Sequence, residues 1–413
     1  MGYQQGLSGL SGASNALDVI GNNIANANTV GFKSSTAQFA DMYANSVATS
    51  TNTQIGIGTR LNSVEQNFGQ GGITTTNSSL DVAINGNGFF QMSNNGVTTY
   101  SRDGTFQRDK NGFIVDSQGR NLMGYAANAG GVINTAQTVP LQAPTTNLAP
   151  TATTKISAQF NLNSQDTVPT KKPFSATDNT TYNYSTSIQV YDSLGGSQAV
   201  NMYFVKSAAG TWEAYAGVQG GATNDLGTVT FDSSGAIQST TPATPTTPPT
   251  PLGQFQFNVL TTDGSATPQN LTLDLTGTTQ YGGKDGVNNL AQDGFASGTL
   301  TTYTIGTDGK LTGNYSNGQT SVLGQIALAN FNNPNGLVNL GGNQYAESSA
   351  SGVPQISAPG STNHGTLQGS ALESSNVDLT SQLVNLITAQ RNYQANAQTI
   401  KTQQTVDQTL INL

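Results

Sequence analysis

The single histidine, His364, is the first residue to weigh for chemistry, since an imidazole can move a proton or hold a metal near neutral pH. It sits in the turn-like run Asn363-His364-Gly365, with no carboxylate or second imidazole close by in sequence, and reads as a loop residue. Asp109, Asn111, Gly112 and Asp116 supply part of a calcium-loop ligand set, but the alternating ligands ahead of the glycine and the closing Glu are missing, so a hairpin turn is expected. Asn85-Gly86-Asn87-Gly88 has the small residues of a phosphate cradle. It leads into Phe89-Phe90-Gln91 rather than opening a helix, and no Lys follows at P-loop spacing, so it predicts a bulge or tight turn. The absence of cysteine excludes disulfides, thiol nucleophiles and thiolate metal sites. No G-x-S-x-G elbow occurs, and 22 acidic residues offer few carboxylate pairs for glycosidic chemistry. The inventory argues against an enzyme and assigns no catalytic, metal-binding or cofactor-binding residue.

The bulk composition agrees with that reading. Of 413 residues only 9% are charged and 35% hydrophobic, while Ser, Thr, Asn and Gln make up about two-fifths. A formal charge of -8, with no basic cluster beyond Lys171-Lys172, gives a nucleic-acid backbone little to bind. No window approaches the roughly 20 apolar residues of a membrane span, and the first residues lack the basic and apolar regions of a cleaved signal peptide. No membrane insertion is expected, and the chain should fold around several small cores.

Both ends read as helical and the middle as strand and turn. Leu10, Ala13, Leu17, Ile20 and Ile24 recur at steps of three and four, stopping at Asn28-Thr29-Val30-Gly31. At the other end Leu379, Leu383, Leu386, Gln390, Tyr393, Ala397 and Ile400 follow the same spacing, with Val406, Leu410, Ile411 and Leu413 extending it. A helix from about Ser375 to Ile411 is expected. The N-terminal stripe, interrupted by Gly21, Asn22 and Asn23, is too short to be stable alone, so the ends need each other or neighbouring subunits. From Ala371 onward charges are few and Gln and Asn dominate, which suggests faces packed among helices or lining an enclosed neutral surface.

Between the ends, Asn95-Gly96, Asp103-Gly104, Asn111-Gly112, Gln118-Gly119, Asp308-Gly309 and Asn317-Gly318 punctuate short apolar runs, the pattern of a hairpin-rich β domain. Composition shifts near Pro140 to Pro150, and strand candidates at 187–192, 200–206, 254–260 and 271–275 mark a second β domain inserted into the first. Within it, Thr240 to Pro251 reads as an exposed polyproline-like loop. The expected fold is therefore mainly β with α-helical termini. Its parts are a terminal helical domain (1–30 and 370–413), extended connecting segments (31–70 and 358–369), an inner β domain (71–145 and 291–357) and an inserted outer β domain (146–290).

The run from Ser14 to Lys33, SNALDVIGNNIANANTVGFK, closely resembles the N-terminal motif of the bacterial flagellar rod and hook axial proteins. Val377-Asp378-Leu379, Leu383 to Ile387, Ala389 to Ala397 and Thr409 to Leu413 resemble the family's C-terminal partner motif, and Leu80 to Phe90 is similar to the rod and hook group. The stretch Tyr315 to Thr320, continuing through Leu323 to Leu337, resembles the hook branch in particular.

The resemblance implies a structural subunit whose terminal helices order on assembly into a coiled-coil inner tube around an export channel, with the first β domain at middle radius and the insert outermost. It implies a short curved polymer acting as a universal joint between rod and filament. The implied partners are further copies of the chain, the hook cap, the distal rod, the hook-filament junction proteins and the flagellar type III export apparatus. The implied location is the flagellum outside the cell, reached without a cleaved signal peptide. Assembly contacts are expected at Leu10, Leu17, Ile20, Ile24, Leu383, Leu386, Tyr393 and Ile400. A distal rod or other axial protein is the nearest alternative, and a secreted β-rich adhesin a more remote one.

Overall fold

The computed structural model describes residues 2–42, 56–128, 130–245, 249–261 and 263–411. Residues 43–55 of the expected connecting segment, 246–248 of the Thr240 to Pro251 loop, and Leu413 lie outside the described residues. The chain divides into one unit made of residues 1–145, 301–314 and 320–413 and another made of 146–300 and 315–319.

In the first unit, α1 (Gly2–Ala25) runs unbroken through Gly21, Asn22 and Asn23. Asn23 is buried and uses its amide like a strand edge, accepting the Ser35 N–H at 2.9 Å and donating to the Ser35 carbonyl at 2.8 Å. The residues read as interruptions are thus where the helix is tied to the following ribbon. That ribbon is an antiparallel pair, Ser35–Met42 with Gly58–Gln66, neither strand of which holds a buried residue. At the other end α2 (Leu379–Ile411) is 33 residues, about 50 Å at 1.5 Å per residue. It begins four residues later than the expected Ser375. Asp378 caps it, accepting the N–H groups of Thr380 and Ser381 at 3.0 and 3.2 Å, and Asn376 is committed to the backbone of Ser34, Asn67 and Gly69.

The β part of this unit interleaves both halves of the chain. In the main sheet Thr320–Ile326 pairs with Asn121–Ala126, which pairs with Phe89–Asn94, then Val97–Ser101, Gln344–Ala346 and Val338–Gly341. Because successive strand residues point to opposite faces, the Phe89-Phe90 doublet serves two cores. Phe90 packs with Val82, Met92, Leu122, Ile326 and Leu328, and Phe89 joins Tyr100, Phe331 and Tyr345 in edge-to-face contacts. Just ahead of α2, Thr366–Gly369 pairs with Val82–Asn85 and Ala371–Glu373 with Ile73–Thr75, which stitches the approach to the helix onto the sheet region.

The second unit is a two-sheet sandwich. Tyr184–Tyr191, Ser197–Ala208, Thr211–Val218, Thr223–Phe231 and Ile237–Pro242 form an antiparallel meander in chain order. Gln254–Val259, Gln269–Asp274, Lys155–Asn161 and Gly286–Gln292 form the other sheet. Alternate residues from both, including Ile156, Phe160, Val200, Phe204, Trp212, Phe255 and Leu273, fill one core. The sequence marks four of the nine strands described in this unit; of the other five, Thr211–Val218 and Thr223–Phe231 have an apolar pattern broken by buried Ala and Gly. Thr240 to Pro242, expected in the polyproline-like loop, instead ends a strand; Pro242 pairs opposite Gly227 on the sheet's edge, where a missing N–H is tolerated.

The turns are built by a repeated device. Asp109, Asp116, Asn128, Asp192 and Asp232 each accept, on one side-chain oxygen, the N–H groups two and four residues onward. The glycine three residues on, at positive φ in every case, donates to that residue's carbonyl. Asp109 therefore spends its oxygen on its own hairpin, in line with the turn expected there rather than a calcium loop. His364 lies in another turn, its ring nitrogens 3.2 and 2.9 Å from the carbonyls of Ser361 and Gln355.

Asp274 illustrates how these polar contacts register in stability. Burial works against its charge, but the Thr276 hydroxyl and the Lys155 ammonium, at 2.9 Å, outweigh it and hold the carboxyl at about 2. An unfolded Asp titrates near 3.9, so this group's contribution is complete above about pH 4 and is lost as pH falls toward 2. In Asp274→Asn the acid-side decline in unfolding free energy, measured by urea titration across that window, should be shallower than in the parent chain. An identical decline in both would remove Asp274 from the account.

Candidate assembly interface

Within the first unit α1 and α2 lie antiparallel, with Gly6 against Ile400, Gly9 against Asn396 and the Asn23 amide donating to the Gln382 side-chain Oε1 at 3.4 Å. Their contact is made by small residues rather than by interlocking leucines. A Cβ on Gly6 would lie 2.9 Å from Ile400 Cγ1, and one on Gly9 would lie 2.5 Å from Asn396 Oδ1. Ala13 and Ala389 are buried at the same seam. The ribbon closes against the pair and leaves a cleft of about 690 Å³ lined by Gly9, Gly12, Ala13, Phe39, Ala389 and Asn396.

The eight residues expected at assembly contacts fall into two sets. Leu10, Leu17, Ile20, Ile24, Leu386 and Ile400 are half-buried in the single chain, whereas Leu383 and Tyr393 are exposed. Ile400 fills the space over Gly6, and Ile20 lines a smaller cleft with Val19, Phe39, Asn385 and Ala389. The first turns of α2 carry an apolar patch that the chain itself does not cover: Leu379, Leu383, Val384 and Ile387 are 47, 44, 59 and 51% exposed. At 100° per residue Leu383, Val384 and Ile387 point away from the seam formed by Gln382, Ala389 and Asn396, and Leu379 borders it. Tyr3 and Leu7 form a matching exposed pair on α1.

The polar face of α2 is quiet. Thr388, Thr399, Thr402, Thr405 and Thr409 fold their hydroxyls back onto the carbonyls four residues earlier, so each satisfies its donor within the helix.

A buried charge cluster links the segment that follows α1 to the segment that precedes α2. Glu373 Oε1 accepts from Lys33 Nζ at 2.7 Å and from the Gly71 N–H at 2.8 Å, while Oε2 faces Arg102 Nε at 3.2 Å. All three side chains are buried. Burial and the neighbouring Arg102 charge push the Lys33 ammonium below its ordinary range, with Glu373 pulling it back. Lys33 also donates to the Gly69 carbonyl at 2.8 Å, and Arg102 Nη1 to the carbonyls of Gly86 and Gly88 at 2.9 and 2.7 Å. The Asn85 to Gly88 loop, at positive φ on both glycines, therefore presents carbonyl oxygens to a cation, the opposite polarity from a phosphate cradle. Gly31 is required here: it is at φ +69, and a Cβ would lie 2.7 Å from the Asp103 nitrogen.

Family models match along the chain in order. They are a flagella basal body rod protein model at residues 4–33, a flagellar hook protein FlgE/F/G D1 domain at 83–159, a flagellar basal body protein FlaE D2 domain at 161–295 and a flagellar basal body rod FlgEFG protein C-terminal model at 368–413. Among characterised proteins, the flagellar hook protein FlgE of Salmonella typhimurium is 42% identical, covering 100% of both chains, and that of Escherichia coli K12 is 41% identical with the same coverage. The flagellar hook protein FlgE of Treponema pallidum is 31% identical over 99% of this chain and 98% of its own. The crystal structure of Helicobacter pylori flagellar hook protein FlgE2 has a similar fold, with a TM-score of 0.50 and 15% identity over 73% of this chain and 100% of that one. With the terminal helices, the glycine-loop strand and the β sandwich all matched in order, and 42% identity spanning the whole length, the chain belongs to the flagellar hook protein FlgE family.

Proposed function

We propose that this hook subunit polymerises through its terminal helices into the short curved tube that joins rod to filament, bends as a universal joint and encloses the export channel. The observation that carries the reading is the apolar patch on α2. Leu379, Leu383, Val384 and Ile387 are left wet by the single chain, and a neighbouring copy would cover them. The internally satisfied threonines and the amide-rich positions of α2 suit a neutral wall past which unfolded chains travel without adsorbing. The hook cap, the distal rod, the junction proteins and the type III export apparatus are the further partners of this reading. A distal rod assignment is disfavoured by the full-length similarity to hook proteins.

The test compares the full chain with residues 26–378, which lack both helices but keep Lys33, Arg102, Glu373 and Asn376. A cut at residue 360 would instead remove Thr366–Gly369 and Ala371–Glu373 from their sheet partners. Concentrated in salt, the full chain should form tubes by negative-stain microscopy and the shortened chain should remain monomeric with native β circular dichroism. Tubes from the shortened chain would place assembly outside the helices.

A further inference from the structure

The exposed stripe on α2 and the cleft on the other side of the same helix complement each other. Leu383, Val384, Ile387 and Arg391 recur at steps of one, three and four, so they share a face, and all four are exposed. Ala389, Asn392 and Asn396, which line the cleft of about 690 Å³, share nearly the opposite face. If the stripe of one copy enters the cleft of another, the contact is heterologous. Each copy keeps a free stripe on one side and a free cleft on the other, so addition continues instead of stopping at a pair. The stripe centres near residue 386 and the cleft near residue 393. Parallel copies joined this way are therefore displaced by about 10 Å along the helix, at 1.5 Å per residue, and the array climbs rather than closing into a flat ring.

Charge and register select the occupant. Among the described residues Asp41 is the only charged residue lining the cleft, and Arg391 is the only charge between Leu379 and Ile400. Neither has an ion-pair partner among the described residues. Asp41 pairs opposite Thr59, whose N–H donates to Ser8 Oγ at 3.4 Å, so it lies at the end of the cleft where Gly6 and Gly9 meet Ile400 and Asn396. With the stripe centred on the cleft of a parallel copy, Arg391, at the stripe's C-terminal end, arrives at that same end. The other exposed apolar pair, Tyr3 and Leu7, shares its face of α1 with Asp18, the only charge of that helix. That stripe would bring an anion toward Asp41 rather than a cation.

We propose that Leu383, Val384 and Ile387 of one copy seat in the cleft between α1, α2 and the Ser35–Met42 strand of a second copy, with Arg391 paired to Asp41. This contact rests on the polymerisation through the terminal helices proposed above and adds the surface that receives the patch.

The experiment exploits the absence of cysteine from the chain. Ile387→Cys and Asn392→Cys are introduced together; on one helix they point nearly opposite ways and cannot bridge each other. Tubes assembled from this full-length variant and then oxidised should give a ladder of multimers on a non-reducing gel, while each single variant stays monomeric. A second arm exchanges the charges. Arg391→Glu and Asp41→Arg should each raise the concentration needed for tubes by about tenfold, and the two together should restore it. Both residues are exposed in the single chain, so this arm carries the test if a cysteine variant fails to assemble. Dimers from Ile387→Cys alone would mean that two stripes face each other. A ladder from Leu7→Cys with Asn392→Cys, and none from Ile387→Cys with Asn392→Cys, would give the cleft to α1. Either result overturns the proposal. Tubes that show neither a ladder nor a response to charge exchange also overturn it, while polymerisation through the helices stands. A parent chain that forms no tubes overturns both.

Discussion

Glu373→Ala should destabilise the first unit by about 3–5 kcal/mol, because it strands two buried cations rather than removing one contact. Among the described residues Glu373 is the single anion paired with Lys33 and Arg102, with all three side chains out of water. Deleting it also orphans the Gly71 N–H, which donates to Oε1 at 2.8 Å. The loss should be seen by calorimetry of the full chain, where the transition of the first unit moves and that of the sandwich does not. Lys33→Met with Glu373→Met supplies the control. It removes one cation together with the anion and leaves Arg102 on the carbonyls of Gly86 and Gly88, so it should recover much of the loss. A Glu373→Ala transition within a degree of the parent would mean that the cluster is solvated and does not hold these segments together.

The same cluster shows where sequence reading stops. Lys33 closes the N-terminal motif and Glu373 precedes the C-terminal one, so each was visible, but as an isolated charge. Their separation of 340 positions is closed by two short strand pairings, Ala371–Glu373 with Ile73–Thr75 and Thr366–Gly369 with Val82–Asn85, which carry too few residues to announce themselves. Turns were legible from dipeptides such as Asn111-Gly112 and Gln118-Gly119, whose glycines do take positive φ, whereas the Asp three residues ahead that accepts the turn's N–H groups, as at Asp109 and Asp116, shows only in the structure. The two helices were legible from their 3.6-residue period, and the second unit as a β domain from four of its nine described strands, Gln254–Val259 among them, but not as a two-sheet sandwich. The helix seam was not, because period counting rewards Leu and Ile and is blind to Gly6 and Gly9, whose contribution is the side chain they lack. Asn23 was misjudged for a related reason: an amide in a helix reads as a weak helix former until the backbone it pairs with is in place.

That division between seam and surface makes a sharp prediction for assembly. Leu383→Asp with Ile387→Asp should abolish tube formation while leaving the monomer's helicity and unfolding temperature close to those of the parent. Both side chains are about half exposed in the single chain, so charging them there costs little. In a tube that covers the patch, two carboxylates would be desolvated without partners, at several kcal/mol per ion. At about 1.4 kcal/mol per tenfold, the concentration needed for assembly should rise by more than about a thousandfold. Ala389→Asp is the contrasting variant. It puts a charge into the buried α1 seam, so it should lower helicity and unfolding temperature in the monomer before any question of polymerisation arises. Sedimentation and negative-stain microscopy of the three proteins, beside circular dichroism of each monomer, separate the two effects. If the Leu383 and Ile387 double variant still forms tubes at the parent's concentration, the exposed patch lies outside the subunit contact. Assembly would then have to run through the half-buried set, Leu10, Leu17, Ile20, Ile24, Leu386 and Ile400, after the two helices of each chain had moved apart.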